Sequence, residues 1–171
     1  MAAQQQPEFW QRGPVEGIIT LLQPVAHALL QAQAEIHTTL NELPEALLWQ
    51  QPAGLASPAF HVQHMTGVLD RLFTYARGQQ LTEQQLSALK LEGVKNDSVN
   101  TMQLLQALDA QIGKAILQLR ETTETQLTEA RGIGRKQIPT NVLGLLFHAA
   151  EHTMRHNGQL LVTVKILGVQ Q

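Results

Sequence analysis

Cysteine is absent from this chain, and that absence removes disulfides, thiolate-ligated zinc and a cysteine nucleophile together. Charge is sparse as well: 15% of the 171 residues are charged, and the formal net charge is −2. No basic stripe with interleaved aromatics occurs, so neither nucleic acid nor an anionic membrane surface is an expected partner. The most apolar early run, 17–30, is interrupted by Gln23, Pro24 and His27 and is no membrane span. The opening Met-Ala-Ala-Gln-Gln-Gln-Pro-Glu lacks the basic start and apolar stretch of a signal peptide, and a cytoplasmic location is the expectation. Strand-like alternation, fixed-period repeats and low-complexity tracts are missing too. What is present is apolar side chain, 43% of the residues, enough for one sizeable core.

That apolar content recurs at threes and fours, the helical spacing. Residues 1–13 are polar and read as an arm ahead of a single domain, 14–171, with Phe9 and Trp10 available to pack on it. From 14 to about 41 the series Ile18, Leu21, Leu22, Val25, Leu29, Ala32, Ile36, Leu40 predicts a first helix, kinked or divided at Pro24 because proline removes a backbone donor. A connector with Pro44, Pro52 and Gly54 surrounds one apolar anchor, Leu47-Leu48-Trp49. Ser57-Pro58 is a helix start, serine as cap and proline in the first turn, and Gly78 a stop. A short helix follows Thr82. A third long helix carries Met102, Leu105, Leu108, Ile112, Ile116 and Leu119, capped by Asp97 or Ser98. A basic loop, 131–139, precedes a fourth long helix over 141–167 that Thr140 is placed to cap. Four long amphipathic helices with two longer connections predict an all-α four-helix bundle.

Seven histidines are spread over this frame. Three of them, His148, His152 and His156, recur at intervals of four in the last helix. Four residues advance a helix by ~400°, so each lies only ~40° round from the one before. Following the apolar seam through Val142, Leu145, Ala149, Thr163 and Leu167 puts His152 and His156 on the core-facing stripe, with His148 on its flank. Paired imidazoles at that spacing suit a divalent ion, and His61 or His64 of the second helix can supply a third nitrogen. His27 and His37 read as ordinary polar positions. The zincin order His-Glu-x-x-His is absent. The inverse order is present as His148-Ala-Ala-Glu151-His152, but no Asp or Glu follows His152 to complete such a site. Arg131 and Arg135 flank Gly132 and Gly134 just before the last helix, where a substrate carboxylate or phosphate would find positive charge.

Two stretches carry a family resemblance. Ser57-Pro-Ala-Phe-His-Val-Gln-His64 resembles the second helix of the DinB/YfiT-like superfamily, and Glu151-His-Thr-Met-Arg-His-Asn-Gly-Gln159 is similar to its last-helix signature. The resemblance implies a four-helix bundle with a long crossover connection, commonly a homodimer. It also implies one divalent ion, zinc or nickel, held by His64, His152 and His156. His61, His148 and Glu151 are then expected beside the ion, as outer partners or substrate contacts. The family includes thiol-dependent enzymes, an isomerase and an S-transferase among them, and the resemblance implies a metal-dependent enzyme acting on a small-molecule substrate: a thiol S-transferase or a hydrolase. In a chain without cysteine any thiolate must come from a low-molecular-weight cosubstrate. The other reading is a metal- or ligand-binding module without turnover.

Overall fold

Four long helices pack around one apolar core in the structure, a computed structural model that describes residues 6–169. The first five residues of the expected arm, and residues 170–171, lie outside the described residues. The long helices are α1 (Gln23–Asn41), α2 (Pro58–Ala76), α4 (Thr101–Glu121) and α5 (Val142–Val169), and a short α3 (Glu83–Leu91) lies between α2 and α4. Leu29 and Ile36 of α1, Met65, Leu69 and Phe73 of α2, Leu108 and Ile112 of α4, and Leu145 and Leu160 of α5 are all buried together. Each such side chain contributes roughly 1.5–3 kcal/mol through burial.

Cross-helix bonds set the directions. Asn157 of α5 reaches Glu35 of α1, and Lys165 lies near Glu42, so α1 and α5 run parallel. His61 meets His156 and His64 meets His152, so α2 runs against α5. Gln118 of α4 donates to the Phe73 carbonyl, while Gln103 lies near Gln63, so α2 and α4 are parallel. Parallel neighbours need a long connection, and residues 77–100 with α3 supply it. The expected crossover is there.

Local chemistry explains the ends. The Ser57 hydroxyl accepts from the Phe60 amide at 3.2 Å, and Gly78, at φ +74°, ends α2. Thr82 with Gln85 and Asn100 with Gln103 form reciprocal caps for α3 and α4. The α4 cap is therefore Asn100 rather than Asp97 or Ser98. Asn141, not Thr140, caps α5, its side chain accepting from the Gly144 amide at 2.7 Å.

Two further expectations fail. The first helix begins at Gln23 rather than at 14, because the Gln23 side chain bonds Val15 and Ile18 and folds the preceding segment back at Gly17, φ +78°. Pro24 then sits in the first turn, where no donor is lost, and no kink is required. The basic loop is a small antiparallel hairpin, β1 (Ala130–Ile133) with β2 (Ile138–Asn141). Its side chains do not alternate in polarity because the pair buries no face of its own. Backbone pairing and a turn with positive φ at Gly134 and Gln137 hold it.

Candidate metal centre

Antiparallel packing of α2 on α5 brings one turn of each helix face to face. His64, His152 and His156 each offer a nitrogen, and these three atoms lie within 4.8 Å of one another. Nε2 of His64 is 2.9 Å from Nε2 of His152. Two imidazole nitrogens on a common ion at ~2.1 Å stand about 3.0 Å apart at a right angle and about 3.4 Å apart at a tetrahedral one. The triad is thus drawn in to ligand spacing. All three side chains are half-buried, with Thr153 and Asn157 taking the core-facing positions of α5 instead. Two histidines flanking the core stripe, rather than on it, leave the cluster open to solvent, as a site that admits substrate requires.

The second layer is built from the crossover. Nδ1 of His64 donates to Glu92 Oε2 at 2.7 Å, and Glu92 Oε1 accepts from Arg71 at 2.5 Å. Burial works to raise the Glu92 pKa, but the hydrogen bonds from His64 and Arg71 outweigh it and hold the carboxyl below its ordinary value. With Nδ1 committed to this carboxylate, His64 turns the lone pair of Nε2 toward the other histidines. Phe60 stacks on the same ring, centroids 5.2 Å apart and planes 10° apart. Gly67 lets Glu92 and Arg71 cross α2 closely, for a Cβ there would collide with both.

These donors fit a divalent cation. All are imidazoles, and none of the three is claimed by a carboxylate through its cluster-facing nitrogen. Nδ1 of His152 is buried and has no hydrogen-bond partner among the described residues. A lone pair on each Nε2 at 2.9 Å repels unless a proton or a cation lies between them, and an ion supplies that partner. His156 is lowered to about 4 by burial first and then by the charges of His64, His152, His61 and Arg155. His152 is lowered too, again mainly by burial. At neutral pH both are the uncharged form that a metal binds.

The model of the DinB superfamily matches residues 28–160. The chain belongs to the DinB superfamily. Two solved structures share the fold: a conserved protein from Enterococcus faecalis, at TM-score 0.70 and 18% identity over 86% of this chain and 97% of that one; and a Streptococcus pneumoniae protein, at TM-score 0.61 and 12% identity over 86% and 91%. None of the curated proteins matches the sequence.

The remaining expected site residues divide. In this DinB-superfamily chain His61 stands beside the triad, its Nδ1 3.1 Å from Nδ1 of His156. His148 is at the margin, its side chain 50% exposed, with Nδ1 3.2 Å from Glu151. Glu151 also accepts from Arg155, which more than any other contact holds its pKa below the ordinary value. Arg131 and Arg135 are not brought to the histidines. Arg131 donates to the Ala76 carbonyl and to Glu129, and Ala76 lies twelve residues beyond His64 on α2, ~18 Å along the helix. Arg135 is exposed in the hairpin turn. Both belong to the other end of the bundle because α5 must run back past α2 before its histidines are reached.

Sequence reasoning missed Glu92, which sits in a polar connector with nothing to distinguish it from other glutamates. The available signal was Arg71, a charged residue between Leu69 and Leu72 on a buried face, which demands a carboxylate from somewhere.

The histidine shifts carry a pH prediction. His61, only 4% exposed, is lowered to about 4 by burial and then by the charge of His64, and His156 stands at about 4 as well. Folded values below the unfolded ~6.5 mean that the native state binds fewer protons. Stability is therefore full above about pH 6.5 and lost as the pH falls toward 4. The metal-free protein should melt several degrees lower at the acid end of that window. A melting temperature that rises on acidification would contradict the burial of these rings.

Proposed function

We propose that this protein is a divalent-metal-dependent enzyme that activates a low-molecular-weight thiol or water for attack on a small electrophilic substrate. The observation that carries this is the half-exposed histidine triad, with His64 backed by Glu92. Three imidazoles leave a zinc or nickel ion with open coordination positions, and when bound it lowers the pKa of a thiol or water beside it. The chain's own residues do the rest. Glu92, Arg71 and Phe60 hold the His64 ring, so the ligand geometry is set before substrate arrives. His148, at the exposed margin and oriented by Glu151, is placed to accept the proton that the nucleophile gives up. His61 braces His156 from the buried side. A second copy and a cytoplasmic setting belong to the same reading, and exposed Phe147, Leu161 and Val162 on α5 offer that copy an apolar surface.

The test is turnover. Zinc- or nickel-loaded protein should consume a thiol in the presence of an alkylating or aryl halide electrophile, or hydrolyse an activated ester, and His64→Ala should abolish both. Rates equal to those of the metal-stripped protein would reduce the reading to a metal-binding module without turnover.

A further inference from the structure

Antiparallel packing brings in one histidine more than the triad uses. A turn forward on α2, from His61 to His64, corresponds to a turn back on α5, from His156 to His152. The register that sets His64 against His152 therefore sets His61 against His156, with Nδ1 of one ring 3.1 Å from Nδ1 of the other. His61 is not among the residues whose nitrogens lie within 4.8 Å of one another. It sits deeper, on the buried face of α2 with Ala59, Val62 and Met65. The Phe60 ring, stacked on His64, also presents an edge-on contact to His61 and to His156, with centroids 5.6 Å and 6.3 Å away. The pair is thus confined from one side by the same aromatic side chain.

Two ring nitrogens at 3.1 Å hold one proton between them. Burial disfavours imidazolium, so both rings are neutral and each carries a single N–H. Two arrangements remain. In the first, Nδ1–H of His156 donates, Nδ1 of His61 accepts, and the lone pair of His156 is on Nε2. In the second, His61 donates, and His156 carries its proton on Nε2. Because Nδ1 of His156 is spent on His61 in both, only the first leaves His156 a lone pair for a cation. Nothing competes for the acceptor: no carboxylate, hydroxyl or carbonyl meets a ring nitrogen of His61 among the described residues.

We propose that His61 is a positioning residue of the metal centre, accepting at Nδ1 the hydrogen bond that Nδ1–H of His156 donates, and so fixing the tautomer that turns Nε2 of His156 to the ion. The role matches that of Glu92 toward His64, with a neutral acceptor in place of an anion. Backing of this kind orients the ligand without adding negative charge behind it. The proposal rests on the reading of the triad as a metal centre and is independent of turnover there.

Zinc affinity, measured by chelator competition on the full chain, tests it together with proton–nitrogen NMR correlation of the zinc-loaded protein. His61→Phe keeps the ring volume and removes the acceptor, and its zinc affinity should fall about tenfold. His61→Asn places a side-chain oxygen where Nδ1 stands and should restore most of that affinity. A merely space-filling role demands the opposite order, since phenylalanine fills the volume of the ring and asparagine does not. In the zinc-loaded unaltered protein the spectra should show the proton on Nδ1 of His156 and none on Nδ1 of His61. Undiminished affinity in His61→Phe, or weaker binding by His61→Asn than by His61→Phe, would overturn the proposal. So would a proton on Nδ1 of His61, or a His61 nitrogen bonded to zinc. An unaltered chain that binds no zinc gives a distinct result, overturning the metal centre and this role of His61 together.

Discussion

Elemental analysis is expected to find near one divalent ion per chain in the unaltered protein and only background in His152→Ala/His156→Ala. The expectation rests on geometry: these residues carry two of the three nitrogens within 4.8 Å, and His64 alone cannot retain an ion against solvent. Loss of an outer partner costs ~10–100-fold in metal affinity, and loss of two direct ligands must exceed that. Both side chains are half-buried, so truncation removes few core contacts and the helical circular dichroism should persist. His27→Ala is the control. His27 bonds the Gly13 carbonyl at 3.0 Å, far from the triad in the fold, and its removal should leave the metal content unchanged. If His156→Ala by itself retains full stoichiometry, the assignment of the ligands is wrong.

Removing Glu92 should damage both metal binding and folding, by different routes. Its carboxylate serves two cations or donors at once, His64 at 2.7 Å and Arg71 at 2.5 Å. In Glu92→Ala the Arg71 guanidinium is left largely buried without its counter-charge, a loss of about 3–5 kcal/mol for such a pair. The His64 ring meanwhile loses the partner that fixes its tautomer, and metal affinity should fall ~10–100-fold. Glu92→Ala/Arg71→Met separates the two effects. Removing the orphaned charge with a residue of similar length should restore much of the melting temperature, while metal affinity stays low because His64 remains unheld. A double variant that recovers both would show that Glu92 acts on the metal site only by keeping the fold intact. Full affinity in Glu92→Ala would show that His64 needs no carboxylate.

Much of the candidate site was legible because its parts lie within single helices. Intervals of four put His152 and His156 on neighbouring turns whatever surrounds them, and Ser57-Pro58 sets the start, hence the phase, of the helix that carries His61 and His64. The choice between His61 and His64 was different. On spacing alone either one reaches the interior, and only the resemblance favoured His64. The structure separates them by their neighbours: His64 is held on Nδ1 by Glu92, whereas His61 is buried against His156. Arg131 and Arg135 were misplaced for a related reason. Sequence proximity to α5 says nothing about which end of the bundle its histidines occupy, and nine residues of helix lie between Val142 and His152.

By itself, then, the sequence determined the four long helices, the caps of α2 and α3 but not those of α4 and α5, the absence of any thiol chemistry of the chain's own, and the histidine spacing. These depend on interactions within a few residues, where helix geometry leaves little freedom. Tertiary structure alone decided which histidines share a centre and that a glutamate from the crossover braces one of them. Those depend on contacts between segments 28 to 95 residues apart, as in Glu92 with His64 and His61 with His156. No local pattern records them, because the directions and register of packed helices are set by the whole core at once.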